Sequence, residues 1–533
     1  MKSKSSTVRR SALSGIALIT AFSLLTACSS ESAADNGAGE STEPVEGGSA
    51  SIGISYAPTT LDPQLVVSYA PDLGVVETLV RQDKQNGTLT EGLASSWSAS
   101  DDATSFTFVL RPGITFSDGS PLDATVVAEN FNSLQALGPQ APASRGPLTG
   151  YAGAEAIDDL TVRIDFTAPT AGFLSATASP SLGIISRESL SKPLDSRRAG
   201  DISGTGPFVI ESYSPGESVE VRKRPDYDWA PGDATHTGAA YLDTVTWNFL
   251  PESATRLGAL TSGQVDLITE VDADTEVQVP QDGFWLDSAS QPGLVNGLVL
   301  NPKSPILQDE VVRTAIQRGI DRTEVIAALT PNYLQATSVL SSTTLGYADQ
   351  SDLLGHDPES AADDLDRAGW VLGDDGVRVK DGTRLSLDVV YGNIRNLELI
   401  KQQLSDIGVE LVLQSIDPAQ VAEILTSGRF DLFLRQVGTN DPDVLRSIFA
   451  TDTVGSSNIS QLAPDLVPVL ESIRSTTDSD ARTAAAAQAQ QALVERGLFF
   501  PDFENPNVYA GADGLEGFRS RQGFVYDVWK AGS

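Results

Sequence analysis

The sequence predicts an α/β protein built as two lobes, and three observations lead there. Apolar alternation of period two, as at Phe106, Phe108 and Leu110, recurs between stretches of helical spacing such as Val127, Phe131 and Leu134. Leu260-Thr261-Ser262-Gly263 with Asp266-Leu267 returns 165 positions later as Leu425-Thr426-Ser427-Gly428 with Asp431-Leu432. A helix–Gly–strand unit therefore occurs twice. At 533 residues, the chain is also longer than one hydrophobic core usually serves.

The bulk numbers exclude several classes. A formal charge of −35 repels polyphosphate over most of the surface, so no nucleic-acid partner is expected. One cysteine forbids an internal disulfide, and two histidines forbid a multi-histidine metal site. No cofactor and no resident metal are expected. His236 and His356 fall in loops and read as solvated.

The N-terminus reads as a secretory signal. Lys2, Lys4, Arg9 and Arg10 precede a short apolar run, Ala12 to Leu25, which closes on Leu25-Thr26-Ala27-Cys28. That ending resembles a bacterial lipobox, which implies lipidation of Cys28 and a membrane attachment through acyl chains alone. Removing residues 1–27 takes away four basic and no acidic residues, carrying the formal charge from −35 to −39. The Ser/Gly/Ala/Glu-rich stretch that follows cannot bury enough apolar surface to fold and reads as a tether.

Folding is expected from Ser51. Ile52 and Ile54 begin a strand, and Asp123 N-caps a helix through Leu134. Phe208–Tyr213 and Val219–Arg224 form a hairpin across Pro215-Gly216. After Glu252 a helix ends at Gly263 and delivers Val265–Ile268. Gly297–Leu300 is a short strand stopped at Asn301-Pro302, where the chain is expected to pass into its second lobe. Leu385 to Val389, a helix Leu397–Ile407, and Val409 to Leu413 continue the alternation. An Ala/Gln-rich helix, Ala481–Leu493, precedes an aromatic tail, Phe499–Trp529.

Over nearly all of this length distinctive blocks follow one another: Leu61-Asp62-Pro63, Gly92-Leu93-Ala94-Ser95-Ser96-Trp97 and the run from Phe106 to Leu122. Gly204-Thr205-Gly206-Pro207-Phe208, Arg224-Pro225-Asp226-Tyr227, Leu242-Asp243, Val311–Arg322 and Ala368-Gly369-Trp370 continue the series. In their order and spacing the chain resembles the peptide/nickel group, family 5, of extracellular solute-binding proteins of ABC importers. The resemblance implies a periplasmic-binding-protein fold of the class II, cluster C type, with hinge strands and an extra subdomain in lobe one. The divisions expected are a signal peptide at 1–27, a lipidated tether at 28–50 and lobe one at 51–298, with a subdomain inserted at about 80–180. Lobe two spans 299–499, and 500–533 returns to lobe one. The implied role is capture of a short peptide or related amino-acid-derived solute, handed by a monomeric, lipid-anchored protein to ABC permease subunits powered by a cytoplasmic ATPase. A carboxylate-rich metal chelate or an opine is the alternative ligand.

Peptide binders of this group hold the ligand's ammonium with an Asp just after the strand matching Phe430–Arg435, usually preceded by a Trp. Here Arg435 stands near the Trp position and Gly438 or Thr439 near the Asp position. Arg435 reads either as a carboxylate-binding residue, whose planar fork suits that group, or as the partner of a lobe carboxylate such as Asp443. Asp441 reads as an amine ligand or as turn chemistry before Pro442. Tyr391, Asn393 and Arg395 follow a strand end in the same lobe, and Tyr56 marks the matching edge of lobe one. A remote alternative is a secreted serine hydrolase, because Ser189-Leu190-Ser191-Lys192 fits S-x-x-K, although its companion motifs are missing.

Overall fold

Strand Thr244–Phe249 buries Val245, Trp247 and Phe249 and leaves the residues between them half-exposed, as a strand with one core face must. That pattern recurs through a computed structural model that describes residues 43–66, 72–83, 87–329, 331–392, 396–417, 420–453, 455–519 and 525–531. Cys28, with the signal and most of the tether, and Asn393 and Arg395 lie outside the described residues.

The first large sheet takes β1 (Ser49–Ile54), β2 (Phe208–Ser214), β3 (Ser218–Lys223), β4 (Thr244–Phe249), β5 (Leu267–Ile268) and β6 (Trp285–Ser290), with helix α1 (Ser253–Thr261) between β4 and β5. The second takes β7 (Gly293–Leu300), β8 (Leu334–Gln335), β9 (Ser386–Tyr391), β10 (Glu410–Ser415), β11 (Leu432–Gly438) and β12 (Phe499–Glu504). Helix α2 (Leu397–Asp406) joins β9 to β10, and α3 (Val421–Ser427) precedes β11. The last long strand, β13 (Pro506–Gly511), goes back to the first sheet. The spatial orders are β6-β13-β5-β1-β4-β3-β2 and β8-β12-β7-β11-β9-β10. Each sheet has its own large apolar core.

The passages between sheets differ from those expected. Gly297–Leu300 is the second half of an eight-residue strand, buried throughout, that pairs on both sides within the second sheet. The chain therefore crosses at Gln291-Pro292, not at 298, and crosses back at Asn505, not at 499. The two crossings touch, since Gln291 N donates to Asn505 O at 2.8 Å. An all-apolar strand looks the same from sequence whichever sheet it joins.

Within lobe one, Ala94–Ala99, Ser105–Leu110, Thr161–Phe166 and Tyr151–Ala156 form a four-stranded antiparallel sheet in that order. The helix Ala124–Leu137 belongs to this layer, and the Asp123 carboxylate accepts from Val126 N at 2.9 Å as its N-cap. Phe106, Phe108, Phe131 and Phe166 gather around Phe173.

The repeated unit has one geometry in both lobes. Gly263 and Gly428 take φ +72° and +65°, the left-handed region that lets a helix stop and the chain turn into a strand. Asp266 and Asp431 then clamp the neighbouring parallel strand. Asp266 donates its N–H to Ser51 O and accepts from Ser51 N, while Asp431 does the same with Asp388.

His236 departs from its expected solvated state. Its ring stacks between Tyr241 and Tyr526 at 4.0 and 4.2 Å, with Nδ1 3.0 Å from an Asp527 oxygen. It pins the C-terminal segment to lobe one, a contact 291 residues apart in sequence that no local pattern reveals.

Candidate functional site

Both sheets send the carboxyl ends of their parallel strands toward the crossing. β1 runs parallel with β4 and β5, and β9 with β10 and β11. Gly438, at the end of β11, lies opposite Gly293, two residues from the first crossing. Ile268, at the end of β5, lies opposite Ala510 on the strand that leaves the second. Loops beyond such strand ends are where α/β sheets bind ligands. At the floor, three amides bridge the lobes: Gln436 Nε2 donates to Gln291 Oε1 at 3.0 Å, and Gln291 Nε2 to Asn507 Oδ1 at 2.8 Å.

On lobe two, Arg435 sits in β11 opposite Gly297, three residues before the strand ends. Its guanidinium donates to the Gly455 carbonyl. Among the described residues no carboxylate lies within ion-pairing distance of it. Burial alone acts on its charge and pulls its pKa below the ordinary arginine value. Asp443 is not its partner, because Arg446 holds that carboxylate through both nitrogens at 2.7 Å. Tyr391 ends β9 on the same edge and packs half-buried against the lobe-two core.

Asp441 is brought elsewhere. Arg482 grips its two oxygens at 2.9 and 2.5 Å. Burial opposes the charged form, but the Arg482 charge and hydrogen bonds outweigh it and hold the carboxyl below the usual carboxylate range. The pair lies against Gly172 and Ser175 of lobe one. Asp441 is thus part of the contact between lobes, with its carboxylate already occupied by a cation.

On lobe one, Tyr56 follows β1 and packs against the large core. Beside it stands a residue that the reading of the sequence passed over. Glu270 leaves β5 with φ +49°, a conformation few non-glycine residues adopt. Arg256, 3% exposed, holds this edge by donating to the carbonyls of Leu250, Pro251 and Glu270, each at 2.8 Å. The signal was present. Glu270 follows Asp266 by four residues as Arg435 follows Asp431, so extending the repeat would have paired them.

The serine-hydrolase alternative finds no machinery. Ser189 is buried, its Oγ accepts from Ser203 N at 2.8 Å, and Lys192 is ion-paired with Asp201 at 2.6 Å. The hydroxyl and the amine are each committed elsewhere.

Residues 88–457, well over half the chain, match the model for the middle region of the bacterial extracellular solute-binding proteins, family 5. The chain belongs to that family. Two curated relatives span most of it. The glutathione-binding protein GsiB of Salmonella paratyphi A is 25% identical over 462 residues, covering 82% of this chain and 85% of the relative. The probable D,D-dipeptide-binding periplasmic protein DdpA of Escherichia coli K12 is 26% identical over 493 residues, covering 88% and 90%. In fold the chain is similar to NikA from Brucella suis, solved with Fe(III)-EDTA, with a TM-score of 0.72 at 22% identity over 90% of this chain and 99% of that one. The architecture is therefore the two-lobed α/β one of family 5 binding proteins. These are extracytoplasmic carriers in solute transport rather than catalysts. Among the described residues, no helix is long and apolar enough to cross a membrane.

Proposed function

We propose that this protein captures a short peptide or a related amino-acid-derived solute between its lobes and delivers it to an ABC permease driven by a cytoplasmic ATPase. Lipidation at Cys28 would hold it at the outer face of the cell membrane. The observation that carries the ligand class is Arg435: a half-buried guanidinium near the carboxyl edge of lobe two with no carboxylate of its own among the described residues. A ligand carboxylate supplies the missing counter-ion through a bidentate fork. GsiB and DdpA are named for glutathione and D,D-dipeptides, both carboxylate-bearing amino-acid derivatives, which supports this reading. Tyr391 lies on the same edge and packs on the ligand's flank. Asp441 is left out of the ligand set because Arg482 occupies it.

A carboxylate-rich metal chelate is the second reading, favoured by the same arginine and by the fold shared with a protein solved around Fe(III)-EDTA. Native mass spectrometry of the detergent-solubilised full-length protein, followed by thermal-shift screening of peptides, opines and chelates, separates the two. A true ligand at about 100 times its Kd adds roughly 2.7 kcal/mol to stability. Arg435→Ala should weaken that ligand at least ~10-fold, about 1.4 kcal/mol. Unchanged affinity would remove Arg435 from the site while leaving solute capture standing.

A further inference from the structure

The two lobes present opposite charges at equivalent positions of the repeated unit. Asp266 and Asp431 make the same two hydrogen bonds to the neighbouring parallel strand, so the two segments superpose in role as well as in spacing. Four residues beyond each clamp, lobe one carries Glu270 and lobe two carries Arg435. Arg435 lies within β11 and Glu270 two residues past the end of β5, and the carboxyl ends of both strands run to the crossing.

Glu270 is built to be presented. Its backbone takes φ +49°, and its carbonyl is tied down by Arg256. One carboxylate oxygen accepts from Ser55 N and from Thr269 Oγ1, each at 3.1 Å. The other has no partner among the described residues. This rim is also negative as a whole, since Glu252, Glu270 and Asp272 surround the single guanidinium of Arg256.

We infer that Glu270 binds the ammonium end of the ligand from lobe one while Arg435 takes its carboxylate from lobe two. The ligand class is then a zwitterion that spans the cleft, with a free amine and a free carboxylate. This rests on the peptide-like reading and sharpens it: the carboxylate that peptide binders place after the lobe-two strand is replaced here by one on the opposite lobe. Such an arrangement couples recognition to closure. Only with the lobes together can both ends of one small zwitterion be satisfied, so the ligand favours the closed state by that difference.

The test uses the detergent-solubilised full-length protein and a randomised mixture of di- to tetrapeptides, half of them N-acetylated, read by native mass spectrometry. Wild type should retain free-amine peptides at least ~10-fold over acetylated ones, one ammonium–carboxylate contact's worth of discrimination. Glu270→Gln should abolish that preference while retaining acetylated peptides as well as wild type does. Glu270→Gly, which suits the positive φ, guards against a folding artefact and should behave likewise. A preference that survives in both variants, or is absent from wild type, overturns the Glu270 assignment but leaves peptide capture intact. Retention of neither class overturns the peptide reading and this inference together.

Discussion

Asp502 shows what one buried group does to the pH response of the chain. It is 3% exposed on β12, accepts from the Asn396 amide, and lies near the buried Arg322. Arg322 donates to the carbonyls of Pro501, Gln317, Ile320 and Leu354 instead of pairing with it directly. Burial therefore dominates and pushes the Asp502 carboxyl up to about 6, against the partial help of Asn396 and Arg322. A carboxyl whose pKa is raised on folding binds more protons in the native state. Its contribution to stability is fully present below pH 3.8, is lost as pH rises from 3.8 through about 6, and is an almost constant cost above that. Asp502→Asn keeps an acceptor for Asn396 and removes the charge. It should raise stability at pH 7.5 by roughly 1–3 kcal/mol and flatten the pH dependence between 4 and 6. Urea unfolding across that range checks it, and a variant less stable than wild type at pH 7.5 would show that the charge is compensated.

At the scale of elements, the repeated helix–Gly–strand unit is the part of the chain most legible in advance. A left-handed Gly after a helix and an Asp opening the next strand are local chemistry, so their spacing survives in sequence. The clamp itself was not legible, because Ser51 and Asp388 are far away along the chain. Asp266→Ala or Asp431→Ala leaves one backbone N–H of the adjoining strand, Ser51 or Asp388, short of its acceptor. Each should cost about 1–3 kcal/mol in denaturant unfolding with little change in m. Each has one further partner, Ser304 Oγ at 2.5 Å on Asp431 and the half-exposed Lys530 at 2.9 Å on Asp266, and because exposed ion pairs contribute little, removal of Asp431 should cost more. Equal effects would mean that the serine contact is worth no more than the Lys530 ion pair.

The whole molecule adds a contact between lobes outside the paired strands. Arg474 donates to Pro169 O and accepts from Ala171 N, both at 2.8 Å, and Gln82 reaches Asn440 O at 3.3 Å. Gly172 sits where a Cβ would lie 3.0 Å from an Asp441 oxygen. Its φ of −63° is ordinary, so a larger side chain meets no backbone strain but pushes against lobe two. Gly172→Val should leave thermal stability of the ligand-free protein nearly unchanged and weaken ligand at least ~10-fold by opposing closure. Small-angle scattering of the ligand-saturated variant should retain the ligand-free radius of gyration. Full compaction would show that this contact does not limit closure.

The sequence alone determined the fold class, the duplicated unit and the family, because period-two and helical spacing, glycine after a helix, and contiguous motifs are properties of neighbours along the chain. Tertiary structure decided the rest. It moved the crossings to Gln291-Pro292 and Asn505, since an apolar strand does not announce which sheet pairs with it. It turned Asp441 from a ligand candidate into the partner of Arg482, and took Asp443 from Arg435 by giving it to Arg446. It also set Glu270 just past β5 at φ +49°, with one carboxylate oxygen accepting from Ser55 N and Thr269 Oγ1. Whether a charge is free or paired depends on which side chains arrive beside it, and that is settled only when distant segments pack.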